Sequence, residues 1–176
     1  DFARVLAKSH DHDAADRFDN GDDTNDTAFI EGTRIDHGYD PADQAFFHGG
    51  DLQGLIDRLD YIQGLGTTAI WMTPSFKNKP VQGEPGKESA GYHGYWITDF
   101  TQIDPHLGTN AELQDLVNAA HDRGIKVFFD IITNHTADVI DYDEKKYGYI
   151  SKEASAYEDA DGKAFDDKDF AGKDTF

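Results

Sequence analysis

The chain has 176 residues, 16 Lys+Arg against 35 Asp+Glu, a formal net charge of −19 and no cysteine. The missing thiols exclude a disulfide framework, a thiol nucleophile and any Cys-ligated zinc or iron–sulfur site. The charge argues against nucleic acid and against an anionic membrane surface, both of which bind through Lys and Arg.

The 38% hydrophobic content suffices for a core. No run of about 18 apolar residues is present to cross a bilayer. The sequence starts at Asp1 without Met or a basic-then-apolar leader, so a processed chain or a piece of something longer is expected.

Residues 1–51 carry 13 acidic and 4 basic groups, and 28 of the chain's 35 acids are Asp. Aspartate suits loops and hard-cation sites better than helices. Asp19 to Asp26 (D-N-G-D-D-T-N-D) reads as a turn-rich acidic loop. No apolar strand is recognisable before it, since Val5 and Leu6 stand isolated.

Leu52, Leu55, Ile56, Leu59 and Ile62 then line one face of a helix, which Gly64 and Gly66 end. Thr67 to Thr73 reads as a buried strand closed by Pro74, followed by a long loop to about Gly108. Thr109 and Glu112 form a capping box for a second helix that stops at Gly124. Ile125 to Ile132 is a nearly continuous apolar run, the pattern of a strand buried on both faces. From Thr133 onward no sustained period appears, and the tail reads as irregular.

Short helix-to-strand turns and long strand-to-helix loops mark parallel α/β units, whose ligands sit at the carboxyl ends of the strands. Two polar and aromatic groups fall there: Gly91-Tyr92-His93-Gly94-Tyr95-Trp96 after the first strand, and Asp130, Asn134 and His135 at the end of the second. Flat aromatic faces with hydroxyl-binding Asp, Asn and His make a sugar-site composition. Taken singly, each has a plainer use: aromatics in a core, Asp130 as a cap or ion-pair partner, His135 as a structural histidine.

Asn20, Asp22, Asn25 and Asp26 offer closely spaced oxygen ligands of the kind Ca²⁺ takes, or else an Asx-turn loop facing water. An EF-hand is excluded because the sixth position from Asn20 is Asn25 rather than Gly. Phosphate-loop, dinucleotide, H-E-x-x-H and G-x-S-x-G signatures are all missing.

Asp130-Ile131-Ile132-Thr133-Asn134-His135 resembles the D-x-x-x-N-H block that ends the third barrel strand of the α-amylase family of glycoside hydrolases. Gly91 to Trp96 resembles that family's substrate loop. Asp16-Arg17-Phe18, Asn20-Gly21-Asp22, Asn25-Asp26 and His48-Gly49-Gly50-Asp51 resemble its calcium-binding amylases and cyclodextrin glycosyltransferases.

The resemblance implies an α/β fold: the N-terminal portion of a (β/α)₈ TIM barrel, with the start of an inserted domain after the third strand. Residues 1–137 would be barrel and 138–176 the beginning of the insertion, with the first barrel strand just before Asp16. Tyr95 would stack on the sugar at the cleavage point, His93 and Trp96 would line that wall, Asp130 would support the site, and His135 would hydrogen-bond the reacting sugar. One Ca²⁺ would be held by Asn20, Asp22, Asn25, Asp26, the Gly49 carbonyl and Asp51. Asn134 would ligate another, between barrel and insertion. The nucleophilic Asp and acid Glu of this retaining family would lie beyond Phe176.

The implied partners are an α-glucan or maltooligosaccharide and the remainder of the same enzyme, with neither nucleic acid nor membrane, in a secreted or periplasmic setting. A non-catalytic carbohydrate- or calcium-binding module derived from such a barrel is the alternative.

Overall fold

A computed structural model describes residues 4–6, 15–137, 157–158 and 163–165. The chain forms two compact units, residues 1–137 and 138–176.

In the first unit β1 (Arg4–Leu6) precedes a 3-10 turn at Ala15–Arg17 and the one-turn helix α1 (Arg34–His37). Then come α2 (Leu52–Asp57), α3 (Leu59–Gly64) and β2 (Thr67–Met72). Four short strands follow: β3 (Phe76–Asn78), β4 (Val81–Gln82), β5 (Ser89–Ala90) and β6 (Ile97–Ile103). The unit closes with α4 (Asn110–Asp122) and β7 (Lys126–Phe129). In the second unit β8 (Tyr157–Glu158) pairs antiparallel with β9 (Ala164–Phe165).

β1, β2 and β7 make a parallel sheet with β2 in the centre. Ala69 pairs with Lys126 and Met72 with Phe129. The two helical segments and α4 are the crossovers that parallel pairing requires. Leu55, Leu59 and Ile62 meet Leu116, Ala120 and Ile125 against Ile70 and Met72, forming the main core. Phe46, Phe47 and Ala90 form a smaller one, packed by Tyr39, Val81 and Tyr92.

Four expectations are corrected. Val5 and Leu6 are not isolated: with Arg4 they form a strand that pairs with β2, about ten residues earlier than the position expected. The helix over 52–62 is two helices, broken at Arg58, whose backbone (φ −101°, ψ 8°) leaves the α region. The loop 74–108 contains an antiparallel ribbon, β3 with β6, and the small pair β4–β5. The apolar run 125–132 gives a strand of only four residues, and it is not buried on both faces. Phe128 is 52% exposed and Phe129 41%: successive side chains point to opposite faces of the sheet, and the described residues leave both faces of β7 partly uncovered.

The helix starts are built by side chains. Thr109 Oγ1 accepts the Glu112 N–H, and the Glu112 carboxylate accepts from Thr109. Asp51 is fully buried and caps α2. Its carboxylate accepts four N–H groups, from Gly21, Asp22, Gly54 and the Asn25 amide, at 2.7–3.1 Å. One side chain therefore ties the acidic loop to α2.

Replacing Asp51 by Ala strands several buried donors at once, whereas Thr109→Ala opens an exposed cap. We expect Asp51→Ala to destabilise the complete protein by about 2–4 kcal/mol and Thr109→Ala by about 1 kcal/mol. Chemical denaturation of the two variants side by side checks the ranking.

Candidate functional site

The loop between β5 and β6 holds the aromatic group. Gly94 takes φ 83°, and a side chain there would strike the Pro74 carbonyl, so only Gly lets this aromatic loop lie against Pro74, just past the end of β2. His93 is its hub. Its ring stands edge-on to Trp96 at 4.5 Å and lies roughly parallel to Tyr95 at 5.5 Å, with Tyr92 edge-on at 5.3 Å. His93 Nδ1 accepts the Tyr95 N–H at 3.0 Å, which puts the imidazole proton on Nε2. Tyr92, His93, Tyr95 and Trp96 are all half-buried and together form a wall of rings.

The second group arrives from β7. The Asp130 N–H extends the sheet ladder by donating to Met72 O at 2.9 Å. Tyr95 Oη donates to Asp130 Oδ2 at 3.3 Å. His135 Nε2 donates to the Tyr95 carbonyl at 3.1 Å, and the Ala137 N–H donates to Ile97 O at 2.9 Å. Thus His93, Tyr95, Trp96, Asp130 and His135 stand together at the carboxyl ends of β2 and β7. Apolar rings beside a carboxylate and imidazoles suit a polyhydroxylated ring with apolar faces, where stacking and hydroxyl hydrogen bonds act together. Asn134 is exposed and belongs to neither hydrogen-bond set.

Asp16 anchors the other side of the wall. It is 1% exposed and accepts from His48 N and Gly49 N while pairing with Arg17. Burial pushes its carboxyl up, and the Arg17 guanidinium and the two N–H groups pull it back. Arg17 in turn donates to Gln44 O and lies 4.1 Å over the Tyr92 ring, a cation–π contact to the first ring of the aromatic loop. Sequence reasoning gave Arg17 no role. Its place in Asp16-Arg17-Phe18 was the available signal, but the partner Tyr92 lies 75 residues away.

The acidic loop divides into two kinds of residue. Asp22 Oδ1 accepts Thr24 N and Oγ1, an Asx turn whose hydrogen bonds lower its carboxyl pKa. Asp51 is the cap described above, with its lone pairs taken by N–H groups. Asn25 is buried, its Nδ2 donates to Asp51, and its Oδ1 has no hydrogen-bond partner among the described residues. Asp26 accepts from Asn20 Nδ2 at 2.8 Å. Burial pushes the Asp26 carboxyl up, the nearby charges of Asp23 and Asp51 add to that, and hydrogen bonds from Tyr39 and Asn20 oppose it. A Cβ on Gly49 would come within 2.5 Å of both Asn20 Nδ2 and Asp26 Oδ1.

An orphaned buried oxygen beside a carboxylate crowded by like charge is what a hard cation relieves. Asn20, Asn25, Asp26 and Gly49 therefore fit a Ca²⁺, and turning the Asn20 amide by 180° exchanges nitrogen for oxygen at the same place. Asp51, whose two carboxylate oxygens accept four N–H groups, fits it less well, whereas the Asx turn at Asp22 uses only its Oδ1. Among the described residues no three Asp, Glu or His groups converge as metal ligands, so such a site would depend on amide and carbonyl oxygens.

Known proteins resemble this chain. The family model of the α-amylase catalytic domain matches residues 14–175. An α-amylase of Streptomyces lividans is 63% identical over 142 residues, which cover 81% of this chain and 16% of that protein. The periplasmic α-amylase of Escherichia coli is 38% identical, covering 77% of this chain and 20% of that protein. The α-amylase of Geobacillus thermoleovorans, solved in complex with acarbose, is 41% identical with a TM-score of 0.50, over 65% of this chain and 23% of that one. The chain thus spans about a fifth of the length of these curated relatives. With its parallel α/β sheet and the match over nearly all its residues, the chain belongs to the α-amylase catalytic-domain family and is part of a (β/α)₈ barrel.

Proposed function

We propose that this chain is the N-terminal portion of a retaining α-glucan-acting glycoside hydrolase and supplies its sugar platform. The contact of Tyr95 Oη with Asp130 Oδ2 carries this reading. It joins the two groups that follow β2 and β7 into one rim, which His135 closes over the Tyr95 carbonyl.

In this reading Tyr95 stacks on the sugar at the scissile bond, with His93 and Trp96 forming the wall beside it. His93 presents its Nε2 proton as a hydroxyl donor. His135 hydrogen-bonds the reacting sugar, and Asp130 holds Tyr95 and supports the site without attacking the anomeric carbon. Retention needs two carboxyl groups about 5–5.5 Å apart across the glycosidic bond. Neither is assigned to a residue of this chain. The complete polypeptide contributes both, and its substrates are α-glucans or maltooligosaccharides. Residues 138–176 open the domain inserted after the third barrel strand. The setting is secreted or periplasmic, in line with the periplasmic relative.

Calcium enters as a structural ion. Asn25, Asp26, Asn20 and the Gly49 carbonyl are its best-supported ligands in the acidic loop, with Asp22 and Asp51 holding that loop in shape. Asn134 ligates a separate ion. When bound, such a cation supplies charge neutralisation for the acidic loop.

Nuclear magnetic resonance of the first products from maltopentaose tests the activity. The α-anomer should appear first. Inverted product, or maltopentaose binding without turnover, would overturn it, the latter in favour of a non-catalytic module. Tyr95→Ala removes the stacking ring and should weaken maltotriose binding roughly 10- to 100-fold, measured by titration calorimetry. Removing calcium with a chelator should lower the melting temperature of the complete protein, and Asn25→Ala should shrink that difference. Saturating calcium at about 100 times its dissociation constant stabilises by about 2.7 kcal/mol, so a melting curve resolves the effect.

A further inference from the structure

The sugar wall needs something to hold its backbone, and one residue outside it does so. Asn78, at the end of β3, is 3% exposed. Its Oδ1 accepts the Trp96 N–H at 2.6 Å, and its Nδ2 donates to Phe76 O at 2.6 Å. Its own N–H donates to Asp104 Oδ2 at 2.7 Å. Both ends of the amide and its backbone are therefore fixed, so the oxygen offered to Trp96 has one position.

Backbone contacts run alongside. Lys79 N donates to Trp96 O at 2.8 Å, and Gly91 N donates to Pro80 O at 2.9 Å. A Cβ on Gly91 would come within 3.0 Å of the Asn78 Cβ, so the chain at Gly91 packs directly on Asn78. These backbone bonds would form with many sequences. The Asn78 amide is the sequence-specific part: at this place a buried side chain must accept from one neighbour and donate to another, which no aliphatic residue does.

Asp104 is fixed in turn. Its N–H donates to Ser75 O, and its Oδ1 accepts from His106 N and faces His106 Nδ1 at 2.7 Å. His106 Nε2 reaches His37 O at 2.6 Å, and its ring stacks on Phe47 at 3.8 Å. The anchor thus runs from the small core into the main chain of the wall.

We infer that Asn78 is a positioning residue for glucan binding: its side chain sets the place of Trp96, and through it of Tyr95 and His93. This rests on the glucan reading above for its ligand. Asn110 makes a matching control. It caps the other end of the same ribbon, accepting from Ile103 N and donating to Thr101 O, and neither bond involves residues 92–96.

The test compares the complete protein with Asn78→Ala and Asn110→Ala, reading hydrogen exchange at the Trp96 amide and maltotriose affinity by calorimetry. Asn78→Ala should speed Trp96 exchange about tenfold or more and weaken maltotriose about tenfold. Asn110→Ala should leave affinity within about twofold while lowering stability. Unchanged exchange and affinity in folded Asn78→Ala, or equal loss in Asn110→Ala, would overturn the assignment.

If Asn78→Ala does not fold, Asn78→Asp decides. That carboxyl keeps an acceptor for Trp96 and regains the donor to Phe76 O only when protonated, so affinity relative to wild type should recover as the pH is lowered. No recovery would overturn the proposal. Wild-type protein that fails to bind maltotriose would sink the glucan reading alone, since Trp96 exchange still reports whether Asn78 holds the wall.

Discussion

Parallel pairing of β2 with β7 is the constraint on which everything else here depends. In a parallel pair, whatever follows each strand emerges at the same edge of the sheet. The aromatic loop after β2 and the segment after Phe129 therefore cannot avoid one another. The ladder continues one residue past β7, where the Asp130 N–H meets Met72 O, and this sets the height at which Asp130 leaves the sheet. The Tyr95 hydroxyl then needs only to reach sideways. A slip of one residue would turn Asp130 to the opposite face and separate it from the aromatic wall.

The sheet delivers the segments, but buried polar side chains fix them. The connections between α1, the aromatic loop and the ribbon have only the small apolar core around Phe46 and Phe47 to hold them. Four buried polar residues add the rest of their order: Asp16, Asp51, Asn78 and Asp104, each below 4% exposure. Each accepts from backbone N–H groups distant in sequence or at a helix start. Such bonds add modest net stability when made and cost more when broken. That asymmetry suits a site: the loop has one satisfied arrangement and few cheap alternatives. Arg17 adds a different kind of tie, a flat cation against the outer side of Tyr92.

Legibility in the sequence follows the range of the interactions. The capping box at Thr109 and Glu112 and the stop at Gly124 are local and were readable. So were the apolar stripes of the helices, because period and propensity act within a few residues. β1 escaped because three residues carry no period and its pairing partner is some 60 residues away. β6 escaped because only its ends, Ile97 and Ile103, are buried, while T-D-F-T-Q between them shows no alternation. The burial of Ile125 to Ile132 was misjudged because apolar composition reports what a strand can bury, not which neighbours it has. The aromatic and Asp130–His135 groups were readable as chemistry. Their meeting was inferable only through the parallel-sheet rule. Asn78 and Arg17 were invisible as anchors because an Asn or Arg between loop residues says nothing about what it will bond.

The excess of Asp over Glu also finds a structural reason. Asp22, Asp40, Asp43, Asp99 and Asp104 each accept the backbone N–H two residues ahead, at 2.8–3.0 Å. This Asx turn needs a carboxylate one methylene from the backbone, and glutamate is a methylene too long to close it in the same way. Much of the acidity in these loops is therefore turn-building. A cluster of aspartates here is not by itself a cation site. What distinguishes the neighbourhood of Asn25 is not its charge but a buried oxygen left without a donor among the described residues. Charge counting over residues 19–26 treats these residues alike, whereas hydrogen-bond accounting tells Asn25, whose buried oxygen has no donor, from Asp22, one of whose oxygens builds an Asx turn.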